Sequence, residues 1–211
     1  RTVASLGHYI GSHSVGHFRD FASEERFPVG SPGLTRETYS PGYFKGVTTG
    51  GVLYGELEVS KNLLENDCGV SVRSFRSGHL AFNKSQIKVM DSLGYAIDSS
   101  QSANDILTNF PFFNFAERSF SSSETSVLEI PLTISDVGFD ENTWNEALAV
   151  WRDVLGKNAA NHAPTVLLVH PTRKWKQEVT SLFLDTLDSG VMTMALEEYG
   201  DFWKRRHDFR F

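Results

Sequence analysis

Short apolar runs alternate with amphipathic stretches along this chain, and few folds accommodate that alternation. Val70 to Phe75 reads as a strand, followed by a helix over Ser85 to Leu93 whose Ile87, Met90 and Leu93 share one face and whose stop is Gly94. Tyr95 to Asp98 reads as a second strand, and Val127 to Ile130, ended by Pro131, as a third. Asp140 then fits a helix N-cap, and Trp144, Leu148, Trp151 and Leu155 fall on one helical face. Thr165 to Val169 is the clearest buried strand. Trp175, Val179, Leu182 and Phe183 form the next helical face, and Val191 to Met194 with Leu196 to Arg206 repeat the unit. Strands alternating with helices imply an α/β protein with a parallel sheet, open or closed into a barrel.

One segment breaks the rhythm. Residues 18–51 hold three prolines and six glycines, and a loop of this length inside a compact domain is a lid, a binding loop or a linker. Its Tyr39, Tyr43 and Phe44 are candidates for stacking on sugar rings or for plain packing. The 211 residues suffice for one domain with a substantial core. A net charge of −6 argues against nucleic acid as a partner, because a phosphate-binding surface needs a basic footprint. Cys68 is the sole cysteine, so no disulfide forms within these residues, and no apolar run reaches the length of a transmembrane helix.

In α/β folds ligands gather at the carboxyl ends of the parallel strands. Arg76, Asp98 and His170 each follow or end a predicted strand, and His13 follows the short apolar stretch Tyr9–Ile10. The sharpest local signal is His13-Ser14-Val15-Gly16-His17. If the segment is helical, two imidazoles four residues apart lie on one face and can share a cation, zinc or a similar divalent metal. The zinc-protease form of this spacing needs Glu after the first His; Ser14 stands there instead and counts against a peptidase.

The stretch from Gly7 to His17 resembles the second motif of the polysaccharide deacetylase (NodB-homology) family, carbohydrate esterase family four, whose pattern is His-Ser/Thr-x-x-His. Phe75-Arg76-Ser77-Gly78-His79 resembles a variant of the family's third motif, Arg-x-Pro-Tyr. Gly94-Tyr95 with Asp98-Ser99-Ser100 resembles the strand after it, and Leu168-Val169-His170 matches the fifth motif, Leu-x-His. The resemblance implies a distorted (β/α) barrel and metal-dependent hydrolysis of acetyl groups, chiefly N-acetyl, from a polysaccharide. It implies His13 and His17 as metal ligands, zinc foremost, His170 as the general acid and Arg76 as the residue orienting a catalytic carboxylate. His79 and Tyr43 are the candidate substrate contacts. Glycan substrates imply the periplasm, the cell envelope or the exterior, although no export signal lies within these residues.

Two departures accompany the resemblance. The family's first motif, an Asp-Asp pair on the first strand, has no counterpart here, since none of the twelve residues before His13 is acidic. The expectation is a single domain over 1–211 that lacks its first strand, a fragment of an active enzyme. The alternative is a catalytically inactive glycan-binding or scaffold domain on the same fold. The fourth motif, Asp-x-x-Asp-Trp, is not identifiable, and Asp136, Asp140 and Trp144 receive no site role.

Overall fold

A computed structural model describes residues 2–116, 119 and 121–208. The chain forms two compact units, one of Arg1–Gln101, Pro111–Ile130 and Ala195–Phe211, the other of Ser102–Phe110 and Pro131–Met194.

The first unit contains helices α1 (Thr2–Ser5), α2 (Ser60–Cys68), α3 (Gln86–Ser92) and α7 (Leu196–Asp208), and strands β1 (Gly42–Phe44), β2 (Val47–Thr49), β3 (Ser74–Phe75), β4 (Ile97–Asp98), β5 (Phe112–Phe115) and β6 (Glu124–Glu129). Four of these strands make an open sheet in the order β3-β4-β6-β5. β3, β4 and β6 run parallel, and β5 is antiparallel to β6. Ser12 extends the sheet by one parallel bridge to Phe75, its N–H donating to Ser74 O and its carbonyl accepting from Arg76 N–H. The sheet does not close among the described residues, which is consistent with an incomplete, distorted barrel.

The predicted strands at Val70, Tyr95 and Thr165 form but are shorter, whereas Val127 to Ile130 lies in the longer β6. Val70 to Phe75 yields a two-residue ladder because side chains of α2 claim its start: Val72 N–H donates to Glu65 and Val72 O accepts from Lys61. The predicted α3 ends as expected at Gly94, whose φ of +72° suits glycine. The core under the sheet is built by Leu53, Leu57, Phe75, Ile87, Met90 and Tyr95, together with Phe21 and Phe27. Full burial of each such side chain stabilises by about 1.5–3 kcal/mol.

Residues 18–51 are therefore not a detached lid. Phe21, Phe27 and Tyr39 are buried, and β1 and β2 pair as an antiparallel hairpin. Its turn is Lys45-Gly46, both with positive φ, the geometry that suits the twist of a tight hairpin.

The second unit contains α4 (Ala103–Ile106), α5 (Trp144–Ala160), α6 (Lys174–Leu184) and the parallel pair β7 (Ile134–Ser135) and β8 (Leu167–Leu168). Trp151 and Phe183 pack edge to face at 5.5 Å between α5 and α6, with Leu148 and Val179. Thr165 to Val169 forms a shorter and only half-buried strand, because Thr133 Oγ1 engages both the N–H and the carbonyl of Val166. Asp140 does not cap α5 directly. It accepts from Asn142 and Thr143 N–H in the turn before it, and Thr143 is the capping position. Val191 to Met194 forms no strand.

Among the described residues no helix is long and apolar enough to cross a membrane.

Candidate functional site

Ser12 is held on the edge of β3, so His13 emerges beside Arg76 at the carboxyl end of the parallel strands. His13 Nδ1 lies 2.6 Å from Arg76 O. A carbonyl only accepts, so Nδ1 carries the proton and the ring's lone pair is on Nε2. That is the tautomer of a metal-ligating imidazole fixed by a backbone carbonyl.

The expectation that His13 to His17 form a helical face is not met. The segment is an irregular turn with Ser14 at φ 67° and His17 at φ 51°. The imidazoles nevertheless meet, with ring centroids 4.8 Å apart. Two further features hold the turn: His17 N–H donates to Ser14 Oγ, and Glu56 Oε2 accepts from Val15 N–H at 2.9 Å and Gly16 N–H at 2.8 Å.

His79 joins them, its ring centroid 4.4 Å from that of His17. Gly78 makes the approach possible, because a Cβ there would lie 2.8 Å from His17 Cδ2. His79 and Leu80 both have positive φ, 56° and 53°. Non-glycine residues in this region cost about 1 kcal/mol or more each and gather at functional sites. Among the described residues, four of the seven non-glycine positive-φ residues, Ser14, His17, His79 and Leu80, lie in these two turns.

The pair His13 and His17 fits the chemistry of a divalent cation as two nitrogen donors. It is not a full ligand set: among the described residues no group of three or more His, Cys, Asp or Glu side chains is arranged to hold a metal ion.

The Arg76 side chain points to the end of β4, where Nε donates to Ser99 O at 2.9 Å and Nη2 to Ser99 Oγ at 2.8 Å. Burial holds its guanidinium below the ordinary arginine range, against the opposing pull of the Asp98 and Glu129 carboxylates. These two face one another in register on β4 and β6 and are fully buried. Burial pushes Asp98 up to about 6 despite hydrogen bonds from Ser100 and Gln86. Burial and the Asp98 charge push Glu129 well above the carboxylate range, although Gln101 donates to it.

In the second unit, Asp136 follows β7 and His170 follows β8, so pairing of the two strands sets their side chains together. Asp136 Oδ1 is 2.7 Å from His170 Nδ1, and Oδ2 accepts from His170 N–H at 2.8 Å and from Lys176 Nζ at 2.9 Å. Burial works to raise the Asp136 carboxyl, yet these donors overcome it and hold it below its ordinary value. The carboxylate fixes a proton on His170 Nδ1 and leaves Nε2 of the half-exposed ring facing away from it. Asp136 is a partner of His170 that the spacing of the fourth motif does not reveal. The available signal was its place at the end of a short apolar run, Ile130 to Ile134, ahead of the strand that ends in His170.

Tyr43 stands exposed on the β1–β2 hairpin with its ring 5.4 Å from Phe18, the residue after His17. Tyr39, the other tyrosine considered for sugar stacking, is instead buried.

No protein-family model and no curated protein matches the chain. Among solved structures it is similar to a crystal structure from Mycobacterium smegmatis, described by assignment as a polysaccharide deacetylase. The TM-score is 0.68 and the identity 17%, and the match covers 98% of this chain and 66% of the other. The likeness establishes a shared fold, and the chain spans just under two thirds of that structure's length.

Proposed function

We propose that the chain acts as a hydrolase that removes acetyl groups, N-acetyl above all, from a polysaccharide, with His13 and His17 as ligands of a divalent metal, zinc foremost. The observation that carries this reading is the oriented imidazole pair: His13 locked by Arg76 O with its lone pair on Nε2, and His17 beside it at the carboxyl end of parallel strands. Similarity of fold to a structure described as a polysaccharide deacetylase supports it. His13 and His17 would hold the cation, which when bound would supply Lewis-acid chemistry toward an acyl carbonyl and a water.

The protein's own groups supply the rest. His170, with one proton held on Nδ1 by Asp136, takes a second proton on Nε2 from the attacking water and passes it to the leaving amine. Lys176 pairs with the other oxygen of Asp136 and holds the carboxylate in place against His170. Arg76 brings a fixed positive charge to the floor of the site, where it orients a catalytic carboxylate. His79 and Tyr43 contact the sugar.

A second reading, a glycan-binding domain without catalysis, is favoured by one observation: among the described residues no carboxylate completes the metal set. Acetate release from N-acetylated chitooligosaccharides and peptidoglycan fragments, with zinc or cobalt added, separates the two. The hydrolase reading predicts release that falls at least a hundredfold in His170→Gln. Glycan binding without release, in this chain and in one extended at its N-terminus, would establish the second reading instead.

A further inference from the structure

Glu56 is an acid with no solvent exposure, placed in the opening turn of the helix that becomes α2. That turn, Gly55–Val59, is π-helical, a local widening that recurs at functional sites. Its carboxylate accepts three hydrogen bonds. Two come from the successive N–H groups of Val15 and Gly16, the residues between Ser14 and His17. The third comes from Tyr39 Oη at 2.7 Å.

Tyr39 belongs to the Pro/Gly-rich segment and can reach Glu56 because position 55 is glycine: a Cβ there would lie 2.1 Å from the Tyr39 ring. Burial and the neighbouring Glu56 charge hold the Tyr39 phenol far above its ordinary range, so it stays a donor at any physiological pH. Two residues along, Glu58 accepts from Gly33 and Leu34 N–H. One helical turn thus fastens both the histidine turn and the long segment.

We infer that Glu56 is a positioning residue which, latched by Tyr39, sets the separation of His13 and His17 and thereby their affinity for a divalent cation. The positive φ values at Ser14 and His17 motivate the device. The turn is strained where it presents both imidazoles, and an unrestrained turn relaxes to other φ/ψ wells. Two charge-assisted bonds to the intervening amides hold it in the strained form. Among the described residues the other buried carboxylates have partners elsewhere: Asp98 accepts from Ser100 and Gln86, Glu129 from Gln101, Asp136 from His170 and Lys176, and Glu197 from Ser74. Glu56 alone among them grips backbone N–H groups of the histidine turn.

The inference rests on the divalent-cation reading of His13 and His17, and two measurements keep their failures apart. Zinc affinity is measured by titration calorimetry for the unaltered chain, Glu56→Gln and Tyr39→Phe. Amide hydrogen exchange at Val15 and Gly16 is measured on the same three proteins. In Glu56→Gln an NH2 group confronts donors. The expected results are a loss of zinc affinity of about tenfold or more, faster exchange confined to Val15 and Gly16, and little change in melting temperature. Tyr39→Phe removes only the third bond and is expected to give a smaller loss in the same direction, which also carries the test should Glu56→Gln not fold. Unchanged affinity and unchanged exchange in both variants would overturn the inference. If the unaltered chain takes up no zinc, the cation reading and the affinity claim fall together, and exchange alone then decides whether Glu56 holds the turn.

Discussion

Asp98 and Glu129 stand side by side on neighbouring strands, both sealed from solvent, and both charges act on the Arg76 guanidinium. Burial comes first among the causes that raise both; the Asp98 charge raises Glu129 further, whereas a hydrogen bond from Glu129 favours the charged form of Asp98. In the unfolded chain such carboxyls ionise near pH 4. The native state therefore holds protons that the unfolded state has already released, and stability must fall as pH rises from about 4 through about 6 and beyond. Glu129→Gln keeps the shape and removes one titrating group. Its stability, read by urea denaturation at pH 5 and pH 8, should decline less with pH than that of the unaltered chain, the difference approaching about 1.4 kcal/mol per pH unit where one proton is involved. Parallel declines in the two proteins would show that the pair does not titrate as described. Asp136 has the opposite sign. Its carboxyl lies below its ordinary value, so the stability it contributes is present above about pH 4 and lost as acid protonates it.

At the scale of elements, what was legible followed from periodicity, and what was not followed from groups that interrupt it. The face of α5 and the stop of α3 at Gly94 are written in spacing and in a residue that tolerates positive φ. The ladder lengths are not, because side chains such as Lys61, Glu65 and Thr133 take backbone groups that a strand would otherwise share with its neighbour. The helix from residue 53 to 68 was overlooked although Leu53, Leu57 and Leu64 repeat at helical spacing. Gly55 and the acids Glu56 and Glu58 obscure its first turn, and those three are what fasten the adjoining loops. The β1–β2 hairpin was hidden in a Pro/Gly-rich stretch that reads as irregular. Its exposed Tyr43 and Phe44 give an element-level prediction. Tyr43→Ala should change stability by no more than about 0.5 kcal/mol yet weaken binding of an N-acetylated oligosaccharide severalfold by calorimetry. Unchanged affinity would remove Tyr43 from the sugar contacts.

For the molecule as a whole, His13, His17, Arg76 and His170 follow one another in the order that the family resemblance implies. Each stands just beyond a short parallel segment, and the fold that results is similar to one described as a polysaccharide deacetylase. Asp136 and Glu56 escaped notice for a physical reason. Their partners lie 34 and 40 residues away in the chain, and only strand pairing and the packing of a helix turn bring them together. The account as a whole stands on His13 and His17 binding a divalent cation. The measurement that tests this most directly is the zinc content per chain after equilibration and gel filtration, beside a His13→Ala/His17→Ala control. The account predicts uptake approaching one equivalent in the unaltered chain and its loss in the control. No uptake, or equal uptake in both, would contradict it.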